Sequence, residues 1–416
     1  MSPEENHSVD ESSTGESSAP RAPRGRRRRV LVRLLTALVV IATVAMVGGG
    51  WFFSGQIRAG ALDVHAPSDE MTLRVVMASA RSITLEETGE RQEPLRHDET
   101  YGLAWDSGYG QISGAARVDG NHVTRRLLLL EGSPPTDGQL ARLERDAFPD
   151  DPASVLGVPV KQVRYRSPAG AFAAWFAPAK GHTWAILVHG QRAARTETLR
   201  AMRITTATGL PSLAITYRND TDAPQDPSHF YGFGRTEWRD LQAAVQFALD
   251  HGADKLVLVG YSMGGGITAA FMQHSNLATH VCAIVLDSPM LDLGAAIDHQ
   301  AADRSLPLVG LPIPPPLIWT AKQLAAVRYH VDWDTLDYLK DSSWLDAPTL
   351  VFHGDHDGTA PLATSRRLAR AHPDLVELVT VVHAEHVSSW NQDPNAYDRQ
   401  LSRFLVHNRC SQPIEP

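Results

Sequence analysis

The stretch KLVLVGYSMGGG at residues 255–266 constrains the fold of this chain more than any other. Its first half is apolar and β-branched, as in a buried strand, and its second half suits a helix that opens with small residues. A strand that turns into a helix within a few residues needs glycine, because a Cβ would clash there. Gly260 and Gly264 occupy those positions. The sequence therefore predicts a strand, a sharp turn and a helix, with Ser262 at the apex.

Two interpretations of Ser262 follow from this context. The serine is either a nucleophile or a small residue that a tight turn requires. Gly-x-Ser-x-Gly arises often by chance, so the five letters decide little by themselves. At the carboxyl end of a strand, however, a serine is exposed beside a helix N-terminus whose free N–H groups favour a developing negative charge. The context favours the nucleophile.

Short apolar runs alternate with amphipathic stretches over residues 151–410. The predicted strands are WAILVH, SLAITY, KLVLVG, VCAIVLD, TLVFH and ELVTVV. The predicted helices lie between and after them, near 196–208, 236–251, 263–273, 362–372 and 394–407. Strands buried on both faces and separated by helices predict an α/β fold, a mostly parallel sheet covered by helices on both faces.

The alternation is interrupted between two of these strands. About residues 288–345 form an insertion that contains LPLVGLPIPPPLIW. Its apolar side chains, Trp319 among them, suit either a lid over an acyl chain or a loop packed on the body of the domain. We interpret the insertion as a cap.

The N-terminal segment has the composition of a membrane anchor. Residues 1–29 are polar and end in an arginine cluster, which predicts a disordered cytoplasmic tail. Residues 30–53 follow as an anchor, and 20 residues from Leu34 to Phe53 carry no charge, enough for a helix to cross a bilayer. Because the arginines precede the span, we expect the remainder to be exported. A cleaved signal peptide, with Ala59–Ala61 as the cleavage site, is the alternative.

Residues 54–150 separate the anchor from the α/β pattern. Short β-like runs such as MTLRVVMAS and TRRLLLLEG alternate there with turn signals. They predict a small β-rich region without a chemical constellation, so its role is not indicated.

Composition excludes several classes of function. The formal charge of −8 argues against nucleic acid as a main partner. Cys282 and Cys410 are the only cysteines. They suit a disulfide in an oxidising compartment or, for Cys282, an inert buried thiol, and they do not make a metal framework. No metal or organic cofactor is implied.

A serine nucleophile needs a base and an acid to orient it. The last strand runs into VVHAEHVSSW, which offers His383 and His386. His383 continues the strand, whereas His386 lies in the following loop and is favoured as the base. Asp287, Asp355 and Asp357 all follow strand ends, and the residue pattern leaves the choice among them open.

The oxyanion formed by serine attack needs hydrogen-bond donors. The N–H of Met263, directly after the nucleophile, is one candidate. The loop that leaves the strand WAILV at His189 can supply a second, whose candidate is the Gln191 N–H. His189 itself suits a structural hydrogen bond better than catalysis.

Four motifs over about residues 160–408 resemble the α/β-hydrolase superfamily. They are HGQR at 189–192, GYSMGG at 260–265, HGDHDGTAP at 353–361 and EHVSSW at 385–390. The chain is also similar to Bem46-like and actinobacterial serine hydrolases that follow a membrane anchor. The resemblance implies a triad of Ser262, Asp357 and His386. Where many esterases of the fold carry a longer glycine run, Gln191 and Arg192 stand here.

The resemblance implies a membrane-anchored serine hydrolase. Its expected substrates are carboxylic esters or related acyl compounds, either small molecules or lipids, cleaved through an acyl-enzyme. A serine peptidase or an acyltransferase with the same triad, and a catalytically silent surface interaction protein, are the alternatives. No protein partner is indicated.

Overall fold

The computed structural model describes residues 24–64, 70–89, 92–307 and 310–408, without the side chains of residues 24–27. Most of the predicted tail lies outside the described residues. Cys410 also lies outside the described residues. The prediction of either a Cys282–Cys410 disulfide or an inert Cys282 thiol therefore concerns a residue that the structure does not describe.

An N-terminal helix, a β-rich region and an α/β domain follow one another along the chain. The helices are α1 (Arg24–Ile57), α2 (Glu93–Arg96), α3 (Pro152–Leu156), α4 (Leu199–Ala207), α5 (Trp238–Asp250), α6 (Met263–His274), α7 (Leu293–Ala302), α8 (Pro315–Tyr329), α9 (Leu362–Ala371), α10 (Ser389–Gln392) and α11 (Pro394–His407). The strands are β1 (Leu73–Ala78), β2 (Ser82–Glu87), β3 (Tyr101–Trp105), β4 (Gly108–Asp119), β5 (His122–Gly132), β6 (Leu140–Glu144), β7 (Lys161–Ser167), β8 (Gly170–Ala177), β9 (Thr183–Val188), β10 (Ser212–Ile215), β11 (Lys255–Tyr261), β12 (Val281–Asp287), β13 (Thr349–Gly354) and β14 (Val376–Val381).

Helix α1 extends beyond both predicted ends of the anchor. Residues 24–29, predicted as tail, form its first turns, and a π-helical turn, Arg58–Leu62, continues it. The extension has a physical reason: Ala61 and Leu62 are 8% and 3% exposed and pack into the core of the α/β domain. Within the described residues, α1 with this turn contains one helix long and apolar enough to cross a membrane, judged by length and composition.

The β-rich region is a closed six-stranded barrel in the order β1-β2-β5-β4-β3-β6. All of its strand pairs are antiparallel, and β1 closes the barrel on β6. Alternate residues of β1, Leu73 and Val75, are fully buried inside it. Closure leaves no strand of the barrel with an unpaired edge. Its inward-facing side chains form an apolar core of their own. The barrel thus occupies residues 73–144 of the interval 54–150.

The α/β domain is built on an eight-stranded sheet in the order β14-β13-β12-β11-β9-β10-β8-β7. Neighbours from β14 to β10 pair in parallel, whereas β8 pairs antiparallel with β10 and β7. Strands β7 and β8 form a hairpin at one side of the sheet, with Ser167 opposite Gly170. The carboxyl ends of β11, β12, β13 and β14 therefore lie side by side at one edge.

Apolar residues form separate cores on the two faces of this sheet. One core contains residues of α5, α6, α7 and α8. The other contains residues of α4 and α11. Helices therefore cover both faces. The insertion between β12 and β13 carries α7 and α8, and these helices pack on the first face together with the end of α1.

Candidate active site

Ser262 occupies the sharp turn between β11 and α6. Its backbone has φ 48° and ψ −114°, a conformation that costs a non-glycine residue about 1–3 kcal/mol. The neighbouring glycine is required: a Cβ on Gly264 would lie 2.2 Å from the Val188 carbonyl oxygen. This strained turn places the Ser262 side chain at the carboxyl end of the sheet, where the residue is 7% exposed.

His386 is the histidine that the structure brings to Ser262. It lies in the loop after β14, and Ser262 Oγ–H donates to its Nε2 over 2.8 Å. His383 lies in an exposed turn at φ 64°, where its backbone N–H donates to Asp355 Oδ1. The sequence analysis expected His383 to continue the strand, and this is wrong: the strand ends at Val381, and a turn at positive φ carries His383 out to solvent.

Asp357 is the carboxylate that contacts His386. The Nδ1–H of His386 donates to Asp357 Oδ2 at 2.8 Å, with Oδ1 at 3.0 Å. Backbone N–H groups of Thr359 and Ala360 donate to Oδ1 at 2.9 and 2.8 Å. Burial by itself would raise the pKa of Asp357, but hydrogen bonds from His353 and His386 hold that pKa well below its usual range. The carboxylate is thus charged and fixed beside the imidazole.

Sequence reasoning did not single out His353. It is fully buried at the end of β13, and its Nε2 lies 3.3 Å from Asp357 Oδ2 and 3.0 Å from the Ala360 carbonyl oxygen. Its Nδ1 bonds the Ser365 hydroxyl at 2.8 Å. His353 braces the loop that carries Asp357. Its position at the start of HGDHD is the sequence signal that could have identified it.

The other two carboxylate candidates face elsewhere. Asp355 is exposed and bonds His356 Nδ1 and the backbone N–H of His383, each at 2.6 Å. It ties two turns together. Asp287 is buried at the end of β12, where Ser389 Oγ–H donates to its Oδ1 at 3.1 Å. Among the described residues, its Oδ2 has no hydrogen-bond partner.

Asp287→Asn is expected to stabilise the protein at pH 8 but not at pH 4. Burial raises the pKa of Asp287 from 3.8 to about 6. Because the folded-state pKa exceeds the unfolded one, ionisation of this group costs stability as the pH rises through that interval. The neutral amide avoids a cost on the order of 1–3 kcal/mol. Thermal unfolding at both pH values measures it; an equal shift at pH 4 and pH 8 would contradict the assignment.

The predicted oxyanion donors are Met263, which directly follows Ser262, and Gln191, which follows a glycine close to it. Met263 is the first residue of α6 and is fully buried. Gly190 approaches so closely that an added Cβ would lie 3.1 Å from Ser262 Cβ, and Gln191 follows it. Among the hydrogen bonds of the described residues, none uses the N–H of Gln191 or Met263. Both N–H groups therefore remain able to donate to an oxyanion.

Buried polar residues that sequence reasoning missed shape the Gln191 loop. Glu197 Oε2 accepts from the Gly190 N–H at 2.7 Å, and burial raises the pKa of this carboxyl. His189 Nε2 bonds Asp220 at 2.9 Å, in agreement with the structural role predicted for this histidine. The Gln191 side chain donates to the Ala61 carbonyl oxygen at 2.5 Å. No sequence pattern linked Glu197 or Ala61 to this loop, because their hydrogen bonds to it form only in the folded chain.

The arrangement has a definite chemical capacity. A hydroxyl, an imidazole and a carboxylate form one hydrogen-bonded line, which allows Ser262 to lose its proton to His386 while Asp357 stabilises the resulting imidazolium. The unused N–H groups beside Ser262 suit an oxyanion.

The chain is structurally similar to esterases and α/β serine hydrolases. An esterase of Pyrococcus furiosus, Pf2001, matches with a TM-score of 0.49 and 16% identity, over 62% of this chain and 95% of that one. A membrane phospholipase A, described as a bacterial virulence factor, matches with a TM-score of 0.44 and 17% identity, over 62% and 89%. XC6422 of Xanthomonas campestris, an α/β serine hydrolase without a lid, gives 0.41 and 15%, over 65% and 99%.

No protein-family model matches the sequence, and no curated protein does. A shared fold hosts many reactions, so the function rests on the site.

Proposed function

We propose that this protein is a membrane-anchored serine hydrolase of the Bem46-like type that cleaves carboxylic esters or related acyl compounds. The observation that carries the proposal is the hydrogen-bonded line from Ser262 through His386 to Asp357, with 2.8 Å at each contact. The strained backbone of Ser262 supports it, because such strain is concentrated at functional sites.

Each residue has one role in the proposed reaction. Ser262 Oγ attacks the acyl carbonyl carbon while its proton moves to His386 Nε2. The N–H groups of Met263 and Gln191 donate to the oxyanion. His386 then protonates the departing alcohol, and an acyl-enzyme remains. Water, deprotonated by His386, releases the acid and restores the serine.

A panel of substrates with one acyl group and different leaving groups tests the proposal. We expect the full-length protein in detergent to cleave aryl and alkyl esters, and the Ser262→Ala variant not to. Preferential cleavage of amides would favour a peptidase, and transfer to an added alcohol over water would favour an acyltransferase. No turnover with any acyl substrate would favour the silent interaction protein.

The proposal includes an uncleaved anchor. Ile57 and Ala61 are each 8% exposed within the core of the α/β domain. Arg192 Nη2 donates to the Ala59 carbonyl oxygen at 2.9 Å, and the Tyr231 N–H to the Leu62 carbonyl oxygen at 2.9 Å. Cleavage after Ala61 would remove part of this packing, which supports retention of α1.

Topology gives a separate prediction. With the arginines in the cytoplasm, protease added to intact cells is expected to reach residues beyond about 60 and to spare a tag placed at residue 1. Immunoblots against tags at both ends measure this. The reverse protection pattern would overturn the orientation, and a mature N-terminus at Leu62 would replace the anchor with a cleaved signal.

A further inference from the structure

A narrow pocket lies between the end of the anchor and the cap. One wall comes from the last turn of α1 and the π-helical turn, and the other from α7, α8 and, between them, Arg304 and Ile313. The lining is mostly apolar: Phe53, Gln56, Ile57, Gly60, Ala61, Ile297, Gln300, Ala301, Arg304, Ile313, Ile318 and Ala321. The cavity is small, about 50 Å³, so its apolar lining suits a short segment of a hydrocarbon chain.

Helix α8 places the cap at the level of the bilayer. It packs along the outer end of α1, where a Cβ added to Gly50 would lie 2.6 Å from Thr320 Cγ2. Arg328 donates to the Trp51 carbonyl oxygen at 2.9 Å and stacks on the Trp51 ring at 3.5 Å. Since Gly50 and Trp51 belong to the uncharged span, the first turns of α8 reach the same depth.

The exposed surface of the cap agrees with this depth. Leu311 and Trp319 are 61% and 63% exposed, which is costly in water and favourable at a membrane interface. Trp319 does not line the pocket and is not buried against the domain. Neither expected role, covering an acyl chain or packing on the body of the domain, fits this residue. Its side chain is exposed to the surroundings of the protein.

Both walls of the pocket are bonded to loops of the catalytic site. On the anchor side, the Ala61 carbonyl oxygen accepts from the Gln191 side chain at 2.5 Å. On the cap side, Gln300 Nε2 donates to the Thr359 carbonyl oxygen at 3.1 Å, and His299 Nε2 donates to the Asp357 carbonyl oxygen at 2.9 Å. Both walls of the pocket are therefore tied to loops that carry candidate catalytic residues.

We infer that this pocket takes a segment of the acyl chain of a membrane lipid ester, which reaches it directly from the bilayer. The inference rests on the proposed hydrolase function and names its substrate class. The anchor then forms part of the substrate site as well as a tether. The occupant follows from position, because the pocket begins where the bilayer-spanning helix ends and its walls continue that helix's apolar surface.

Paired tryptophan variants of α7 test the inference in full-length protein reconstituted in phosphatidylcholine vesicles. Ala301 lines the pocket, whereas Ala302 is exposed at the end of the same helix. The readouts are kcat/KM for palmitoyl and acetyl esters of one fluorogenic alcohol, and binding of a fluorescent long-chain fatty acid. Ile318→Trp fills the pocket from α8, on the same wall, if Ala301→Trp does not fold.

Each methylene excluded from an apolar site costs about fourfold in affinity. A tryptophan that excludes about three methylenes is expected to lower the palmitoyl-to-acetyl ratio of kcat/KM by about 50-fold, and to weaken fatty-acid binding similarly. Ala302→Trp is expected to leave both readouts within about twofold. An unchanged ratio and unchanged binding in both pocket variants would overturn the inference.

The two readouts separate this inference from the proposed function. If wild-type protein cleaves neither ester but binds the fatty acid in a manner that Ala301→Trp blocks, the pocket is retained and the hydrolase is rejected. If it cleaves both esters and the pocket variants change nothing, the hydrolase is retained and the pocket is rejected. If it neither cleaves nor binds, both fail.

Discussion

Ser262→Ala is expected to lower turnover of any ester that the protein cleaves by about 10⁴- to 10⁶-fold. The loss is this large because the members of a triad act as a unit, and removal of the nucleophile leaves only binding and oxyanion stabilisation. The fold should persist, since Ser262 contributes a single side-chain hydrogen bond, to His386. Single-turnover rates and thermal unfolding of both proteins measure the two effects.

Ser288 provides a matched control for this variant. It is also a buried serine in the left-handed region, at φ 47°, at the end of the adjacent strand β12. Its Oγ accepts from the Val387 N–H at 3.1 Å and supports the loop of His386. We expect Ser288→Ala to lower turnover modestly. A loss equal to that of Ser262→Ala would contradict the assignment of the nucleophile.

Asp357→Asn is expected to lower turnover by about 10⁴-fold with the fold intact. An amide nitrogen opposite Nδ1 favours the wrong tautomer of His386, so Nε2 can no longer accept the serine proton. The amide oxygen can still accept the Thr359 and Ala360 N–H groups that now bond Oδ1. The loop should therefore keep its conformation. Rates and unfolding temperatures of this variant test both statements.

Two neighbouring carboxylates serve as controls for Asp357. Asp355→Asn removes an exposed carboxylate of the same loop and should act through stability alone, because Asp355 bonds only the His356 ring and the His383 backbone N–H. Asp287→Asn should reduce turnover to an intermediate extent. If Asp287→Asn proves the most damaging to turnover without any loss of thermal stability, the acid is Asp287.

Local patterns predicted the parts of the site that depend on neighbouring residues. Glycines on both sides of Ser262 indicated the sharp turn, since steric conflict there is a short-range property. The choice of His386 over His383 followed from the distance of each from the end of the strand. Parallel order along the sheet then brings the ends of β11, β13 and β14 to one edge.

Long-range packing could not be predicted in the same way. The boundary set at residue 53 marked the end of the uncharged span, whereas the helix continues because Ile57, Ala61 and Leu62 bury against residues far away in the chain. Closure of the barrel depends on the pairing of β1 with β6, which no local signal specifies. His353 and Glu197 likewise bond partners that only the folded chain brings near.

The central claim is that Ser262 carries the acyl group. A fluorophosphonate, which traps activated serines, should form one adduct on the folded full-length protein. Peptide mapping by mass spectrometry should place that adduct on Ser262, and prior denaturation should abolish it. An adduct on another serine, or no adduct on folded protein that still turns over an ester, would contradict the account.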